Sequence, residues 1–444
     1  MRNVLVVMIL LLSAQAQAAT IHFGNGQVKG DIAAAFVGAL DGDDFIAHGP
    51  LTENNQTVTW AWNNCTLTVV GGDYVFDGSG VTQDGIIISG TGNTLDLLGG
   101  DGSQMKWTGY GRYVFWVNAA SNIVNDPYLY DNGYVGEPDC RNYMLYANST
   151  LNRPVIASGV DNNGRHYGVF ISGSGGGSIT DMTMAAITQT GASSRVYGIL
   201  AIGAVGNVLV DGFTMTGGTS VQNTYGLYWS GTGAGDVMVA RRIRLSNLTS
   251  TGACYPLYAY QKGMDIQDFS IDSCKGGVYV QSPVAFVGTV NAISNGVVYG
   301  TTGSGMVAVC DVAGSNPTVS NLIVRDSSTN GFLSSGAHDP ISDNNLAYNN
   351  GTDWNGWTMG ADDLTVDPEH VDAATGDFHL LPASPAIDAG AWIDGRTSDM
   401  DGQPMSGPEM DIGAYEFQQQ NRRTIRTAIT RPVTIPTRDE RSAR

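Results

Sequence analysis

The sequence predicts an all-β solenoid, in which short strands stack in parallel from one coil to the next. Three observations carry that expectation. A phrase of apolar residues around a polar turn recurs as "SITDMTM", "VLVDGFTM", "MVARRIRL", "DIQDFSI" and "TVSNLIV". A second phrase keeps step with it: "YGVFI" from 167, "YGILAI" from 197, "YGLYW" from 225 and "YPLYAY" from 255. The composition, with 59 glycines and only 14% charged residues, suits strands and turns better than helices.

Aligned on its polar residue, the first phrase places Asp181, Asp211, Arg241, Asp268, Asn291, Asn321 and Asp343 at intervals of 22 to 30 residues. Periods of that size without helical interludes indicate stacked coils, none of which can bury its apolar face alone. Asn and Asp tolerate left-handed backbone and bond to nearby main chain, so they turn the chain between strands. Asp181, Asp211, Asp268 and Asn321 are therefore expected to form a ladder along one edge. Arg241 interrupts it and is expected to point outward.

The N-terminus, "MRNVLVVMILLLSAQAQAAT", has a basic start, an apolar run from Val4 to Leu12 and small residues before Ala18. This is the layout of a secretory signal peptide over residues 1–18. The run is shorter than the roughly 20 residues a bilayer requires, so the mature chain is expected to be secreted, with no transmembrane segment. A net charge of −19 argues against nucleic acid and anionic membranes and suits calcium or neutral glycans. Five cysteines allow at most two internal bridges, with buried free thiols an equal alternative, and they show no metal-binding spacing.

The chain resembles the right-handed parallel β-helix proteins of the pectate-lyase-like fold. Near the start, "DIAAAFVGALDGDDFIAHGPL" is similar to the short helix and first strand that cap such solenoids. Near the end, "DPEHVDAATGDFHLLPASPAIDAG" and "DIGAYEFQ" resemble the choice-of-anchor Q segment of secreted β-helix proteins. The resemblance implies a single-stranded right-handed parallel β-helix with an N-terminal helical cap (19–56), repeats (57–350) and a C-terminal capping segment (351–418). Residues 419–444, "QQNRRTIRTAITRPVTIPTRDERSAR" after Gln418, depart from it. They are basic, lack core-forming residues and read as a disordered tail.

The fold class implies a polysaccharide or cell-envelope glycan as partner, held along the outer face. Phe170, Tyr228 and Tyr258 occupy one position of successive strands and form a candidate stacking platform, with Arg165 and Arg195 as further substrate-binding candidates. Tyr167, Tyr197, Tyr225 and Tyr255 form a second file, which strict strand alternation places on the opposite face. Lysis of an acidic polysaccharide by β-elimination needs a cation to acidify the uronate and an Arg or Lys to take its C5 proton. Arg241, Arg242 and Lys262 are the candidates, with Arg244 and Lys275 on neighbouring coils. Asp265, Asp268 and Asp272 could supply carboxylates, but the motifs of the polygalacturonase-like hydrolases are missing. No cofactor is required. Calcium is compatible with the acidic loops at 41–44, 161–165 and 394–402, which equally suit ordinary turns. The readings are a polysaccharide-binding or lyase-like protein and, alternatively, a non-catalytic envelope or adhesin-like solenoid.

Overall fold

The computed structural model describes residues 18–418, except 55–56, 82–83, 134–138, 146–147, 162–163, 173–174, 204–205, 232–235, 261–262 and 283–290. The chain forms a parallel β-solenoid. Twelve parallel strands, from Val58–Trp60 to Thr352–Asn355, make one sheet, here the front; nineteen strands make a second sheet that wraps the remaining sides. The phrase repeated in the sequence is repeated in space. Tyr167 lies beside Tyr197, Tyr197 beside Tyr225 and Tyr225 beside Tyr255, on consecutive parallel strands.

In a complete coil the front strand Asn223–Gly231 leads to the long strand Val237–Ser250, which bends at two residues with positive φ, Arg242 (54°) and Asn247 (57°). Those bends divide it into a first arm, a second arm and a short return to the front. Stacked coils repeat the bends as two columns. The first runs through Asp181, Gly212, Arg242, Asp268, Asn295, Asn321 and Asn344, all with φ between 49° and 86°. The second includes Gly217, Asn247, Ser273, Gly300, Asp326 and Asn349.

Three of the seven residues aligned from the sequence stand in the first column and four do not. Asp181, Asp268 and Asn321 stand in the first column, but Asp211 sits one residue before it, beside Arg241. Where Asp and Gly are adjacent, glycine takes the left-handed position because it has no Cβ to clash. Arg241, Asn291 and Asp343 are likewise displaced, and Arg242, Asn295 and Asn344 make the turns. Arg241 is exposed, as its outward placement requires. Arg242 spans coils: its Nε donates to Asp211 Oδ1 at 2.6 Å and its Nη2 to Asp181 Oδ1 at 3.0 Å.

The interior is one continuous apolar column, aromatic at the start (Phe45, Trp60, Phe76, Trp107) and rich in Met, Ile and Val further on. One polar ladder inside it is bonded from coil to coil. Buried Asn122 accepts from the backbone N–H of Asn93 at 3.0 Å through Oδ1, and Asn93 accepts from Cys65 N at 2.9 Å. All five cysteines are buried and free, which settles the pairing question in favour of thiols.

A short helix, Ile32–Phe36, covers the first coil. Asp31 caps it by accepting from Ala34 N at 2.7 Å, and Phe36 packs against Phe45, Trp60 and Trp62. At the other end Trp354 stacks on Phe332, with ring centroids 4.4 Å apart, and Trp357 is buried beside them.

The C-terminal stretch does more than close the last coil. From Asp367 it runs back along the outside of the second arm, where Val297, Ile323 and Leu346 point outward and are fully buried beneath Phe378, Leu380, Ile412 and Ala414. Three apolar side chains on successive outer positions need such a cover. Polar contacts fix its register on the corner column. Arg396 pairs with Asp268 at 2.6 Å, Asn321 exchanges bonds of 2.8 and 2.7 Å with the backbone of Ala391, and Asn344 donates to Ala389 O at 2.8 Å. Further along, Arg244 pairs with Asp401 at 2.6 Å. The signal-peptide expectation (save Ala18) and the basic tail lie outside the described residues.

Candidate functional site

The front sheet carries two outward columns. One contains Tyr113, Arg141, Tyr167, Tyr197, Tyr225 and Tyr255; the other contains Trp116, Met144, Phe170, Leu200, Tyr228, Tyr258 and Tyr279, continued by Val307 and Leu333. The two tyrosine files thus share one face, against the alternation expected from sequence. The reason lies between them. In the Tyr197 strand, Gly198 and Ile199 both face inward: a Cβ on Gly198 would meet Phe213 and Met215 at 2.6 and 3.0 Å, and Ile199 is fully buried. Two consecutive inward residues shift the phase by one, so positions three apart return to the same side. Gly168 and Gly226 repeat the device, their Cβ positions also directed at inward side chains.

Stacking follows from the coil spacing. Tyr167 and Tyr197 lie 5.0 Å apart at 10° between planes, Tyr197 and Tyr225 5.1 Å at 14°, Tyr228 and Tyr258 4.7 Å at 20°, and Tyr258 and Tyr279 5.2 Å at 7°. Tyr197 and Tyr258 are therefore sandwiched between rings of the coils above and below, while Leu200 separates Phe170 from Tyr228. Of the expected platform, Tyr258 is covered on both faces and Tyr228 on one, and only these two carry hydroxyls; Phe170 has none. At the N-terminal end the guanidinium of Arg141 covers Phe170 and Tyr167, at 4.9 and 5.4 Å from the ring centres.

The C-terminal end of the file differs. Beyond Tyr279 the outward side chains shrink to Val307 and Leu333, and a groove of about 430 Å³ opens there, walled by Tyr255 and Tyr279. Tyr279 also meets Tyr255 of the preceding coil, with ring centroids 4.5 Å apart at 43°; among the described residues no ring follows it on the next coil, where Val307 takes its place and Tyr279 lines the groove. Gly276, Gly303 and Ser304 keep the adjoining edge low. Polar groups at that edge form a neutral ladder: Ser304 Oγ lies 3.1 Å from Thr329 Oγ1, and Asn330 Nδ2 donates to Ser304 Oγ at 3.0 Å. Burial raises the phenol of Tyr279 above the ordinary tyrosine value, with Tyr255 and Asp311 adding to the shift, so the group stays protonated and able to donate. Nothing about "GGVYVQ" marks Tyr279 from sequence except that it is the last ring before the file turns to Val307.

The basic candidates do not converge on this groove. Arg165 pairs with Asp139 at 2.6 Å, and Arg195 donates to Gln222 Oε1 at 2.9 Å, both at the leading edge of the front sheet. They are neighbours in register, as the sequence spacing requires. Arg242 belongs to the corner column, on a different sheet, and its bonds to Asp211 and Asp181 make it a link between coils. Arg241 lines a separate groove of about 520 Å³ on the outside of the first arm, with Thr150, Ser178, Leu209 and Val239 and without a carboxylate among the described lining residues. Lys262 lies outside the described residues. Lys275, at the aromatic groove, directs its ammonium to the carbonyls of Ser250, Thr251 and Gly252 at 2.9, 3.1 and 2.6 Å.

The carboxylates considered for hydrolysis are occupied too: Asp268 by Arg396, Asp265 by Gln267, and Asp272 by Ser273. The acidic loops behave as turns where they are described. Asp41 accepts from the backbone and side chain of Asn63, and Asp399 accepts from three backbone N–H groups, those of Asp401, Gln403 and Glu416. Among the described residues no group of three or more His, Cys, Asp or Glu side chains is arranged to hold a metal ion.

No family model matches the chain, and no curated protein does. Among solved structures it is similar to the pectate lyase Pel9A, with 12% identity, 90% of this chain and 97% of that chain covered, and a TM-score of 0.43. It is also similar to a PL6 alginate lyase in complex with trisaccharide, with 12% identity, coverage of 83% and 92%, and a TM-score of 0.32. Likeness at that level says nothing of chemistry.

Proposed function

We propose that this protein binds polysaccharide on its front face, with one sugar unit stacked on Tyr279 and the chain continuing along the tyrosine edges. The single observation that carries this reading is the end of the file: a ring packed by Tyr258 and Tyr255 of the preceding coil, with no described ring after it and a groove along that side. An aromatic face is a flat apolar platform with a polar rim, which suits the C–H face of a pyranose. Serine, threonine and asparagine at the edge both donate and accept, as sugar hydroxyls do. The rows of stacked tyrosines repeat close to the length of one pyranose in an extended chain, so successive sugars meet successive hydroxyls.

The reading is of binding rather than cleavage. The one described cation lining the groove, Lys275, already holds three backbone carbonyls, and a proton-abstracting base must be free to accept. We include in the proposal that the chain works outside the cell, exported by residues 1–18 and carrying a segment of choice-of-anchor Q type over 351–418. Affinity electrophoresis or calorimetry with a panel of soluble polysaccharides tests the binding. Tyr279→Ala is expected to weaken the interaction about tenfold, the equivalent of ~1.4 kcal/mol, while leaving thermal unfolding near that of the parent. Binding unchanged by this substitution removes the site. An ultraviolet assay for unsaturated products, with polygalacturonate or alginate plus calcium, is expected to stay flat; a rising signal would establish elimination.

A further inference from the structure

Resting on the proposed glycan site, we infer that the groove beside Tyr279 selects uncharged sugars and discriminates against uronates. Three observations support this. Among the described residues, the one charged side chain lining the groove is Lys275. An ammonium has three N–H donors, and those of Lys275 have three backbone carbonyls within 3.1 Å. A carboxylate entering the groove would have to displace those bonds, each of which holds the turn at Ser250–Gly252 against the next coil.

The second observation is the sign of the field nearby. Burial, then Tyr255 and Asp311, raise the phenol of Tyr279, and Asp311, after burial, also raises the thiol of Cys310, whose strand lies next to that of Tyr279. Asp311 therefore adds negative charge beside the groove residue Tyr279, and the whole chain carries −19. The third is the chemistry of the rim. Ser304, Thr329 and Asn330 are neutral and already linked, with lone pairs and hydrogens suited to hydroxyl groups rather than to a fixed negative charge. A uronate at this position would meet like charge and no unengaged cation among the described residues, whereas a neutral hexose would meet a ring face and hydroxyls.

Calorimetry on the full chain tests this with laminarin, galactan, mannan and xylan as neutral polymers, against polygalacturonate and alginate. Each is titrated at physiological salt, once with EDTA and once with calcium. At least one neutral polymer is expected to bind, with the polyuronates tenfold or more weaker in both buffers. Val307→Arg, which sets a guanidinium next to Tyr279 in its column, is expected to raise polyuronate affinity and narrow the difference.

Polyuronate binding equal to or tighter than that of every neutral polymer overturns the selectivity. If Tyr279→Ala also abolishes that binding, the site stands and only its preference is wrong. Binding of any polymer that ignores Tyr279→Ala overturns the site, and the selectivity with it. No binding by any member of the panel overturns both.

Discussion

Gly212 turns the chain with φ at 86°, and a Cβ there would lie 2.4 Å from Asp181 Oδ1 on the coil below. Gly212→Ala therefore meets two costs, the left-handed backbone and the contact, and is expected to destabilise by about 1–3 kcal/mol. Chemical denaturation measures it. His166 offers a different residue-scale test. It is fully buried, its Nε2 faces the Asn142 amide at 2.7 Å, and its Nδ1 has no hydrogen-bond partner among the described residues. Burial depresses the ring to about 4, so the folded chain keeps it neutral while the unfolded chain protonates near 6.5. Its contribution is thus complete above pH 6.5 and lost as pH falls toward 4, by up to about 3 kcal/mol. Glu53 and Glu416, each raised to about 7 by burial, work the other way, since their protonation on acidification relieves a buried charge. Comparing parent with His166→Gln across pH 4–7 isolates the histidine. The expected result is a shallower acid loss of stability in the variant, read as the melting temperature at each pH.

Among elements, the C-terminal segment depends on one buried ion pair. Arg396, 2% exposed at its side chain, meets Asp268 at 2.6 Å and Glu416 at 3.6 Å. Burial, partly offset by Arg396, raises Asp268 to about 6. Removing the arginine leaves two carboxylates buried without their cation, and breaking such a pair costs about 3–5 kcal/mol. Arg396→Met is expected to release the segment from the second arm. Limited proteolysis would then cut within 367–417 while the solenoid survives, and Asp268→Asn in the same chain should restore part of the protection. How far these elements were legible from the sequence depends on local chemistry. The recurrence of "YG" phrases announced the front strands, because their side chains repeat coil by coil. The "DG" at Asp211–Gly212 drew attention to the aspartate, though the glycine makes the turn, and "RR" at 241–242 held no sign of which arginine would. The two tyrosine files fell on one face through an inward Gly–aliphatic pair, which a period-two reading cannot anticipate. The end of the ring file at Tyr279 depended on the small side chain of Val307, the next member of its column and one whole coil away in the chain. The docking of Arg396 on Asp268 joins residues 128 apart, beyond any repeat.

For the whole molecule, register makes a coil a removable unit. Arg165 stands at the position of Arg195, and the N–H of Arg195 already bonds Gly164 O at 3.0 Å. Deleting residues 165–194 would join groups that are neighbours in space and leave each remaining strand facing an equivalent partner. Repeat architectures sum local and nearest-neighbour contributions, so this deletion is expected to fold with modestly lower stability. Deleting only 165–179 would misalign every column and is expected to yield no cooperative unfolding transition by circular dichroism.

The five sealed thiols have a consequence for how the chain can be produced. Burial pushes Cys140 up to about 12 and Cys254 and Cys310 to about 11, which suppresses the thiolate that oxidants attack. Cross-links contribute nothing to holding the coils together, so dithiothreitol should leave the melting curve where it was. A reducing cytoplasm would serve for recombinant expression as well as an oxidising one.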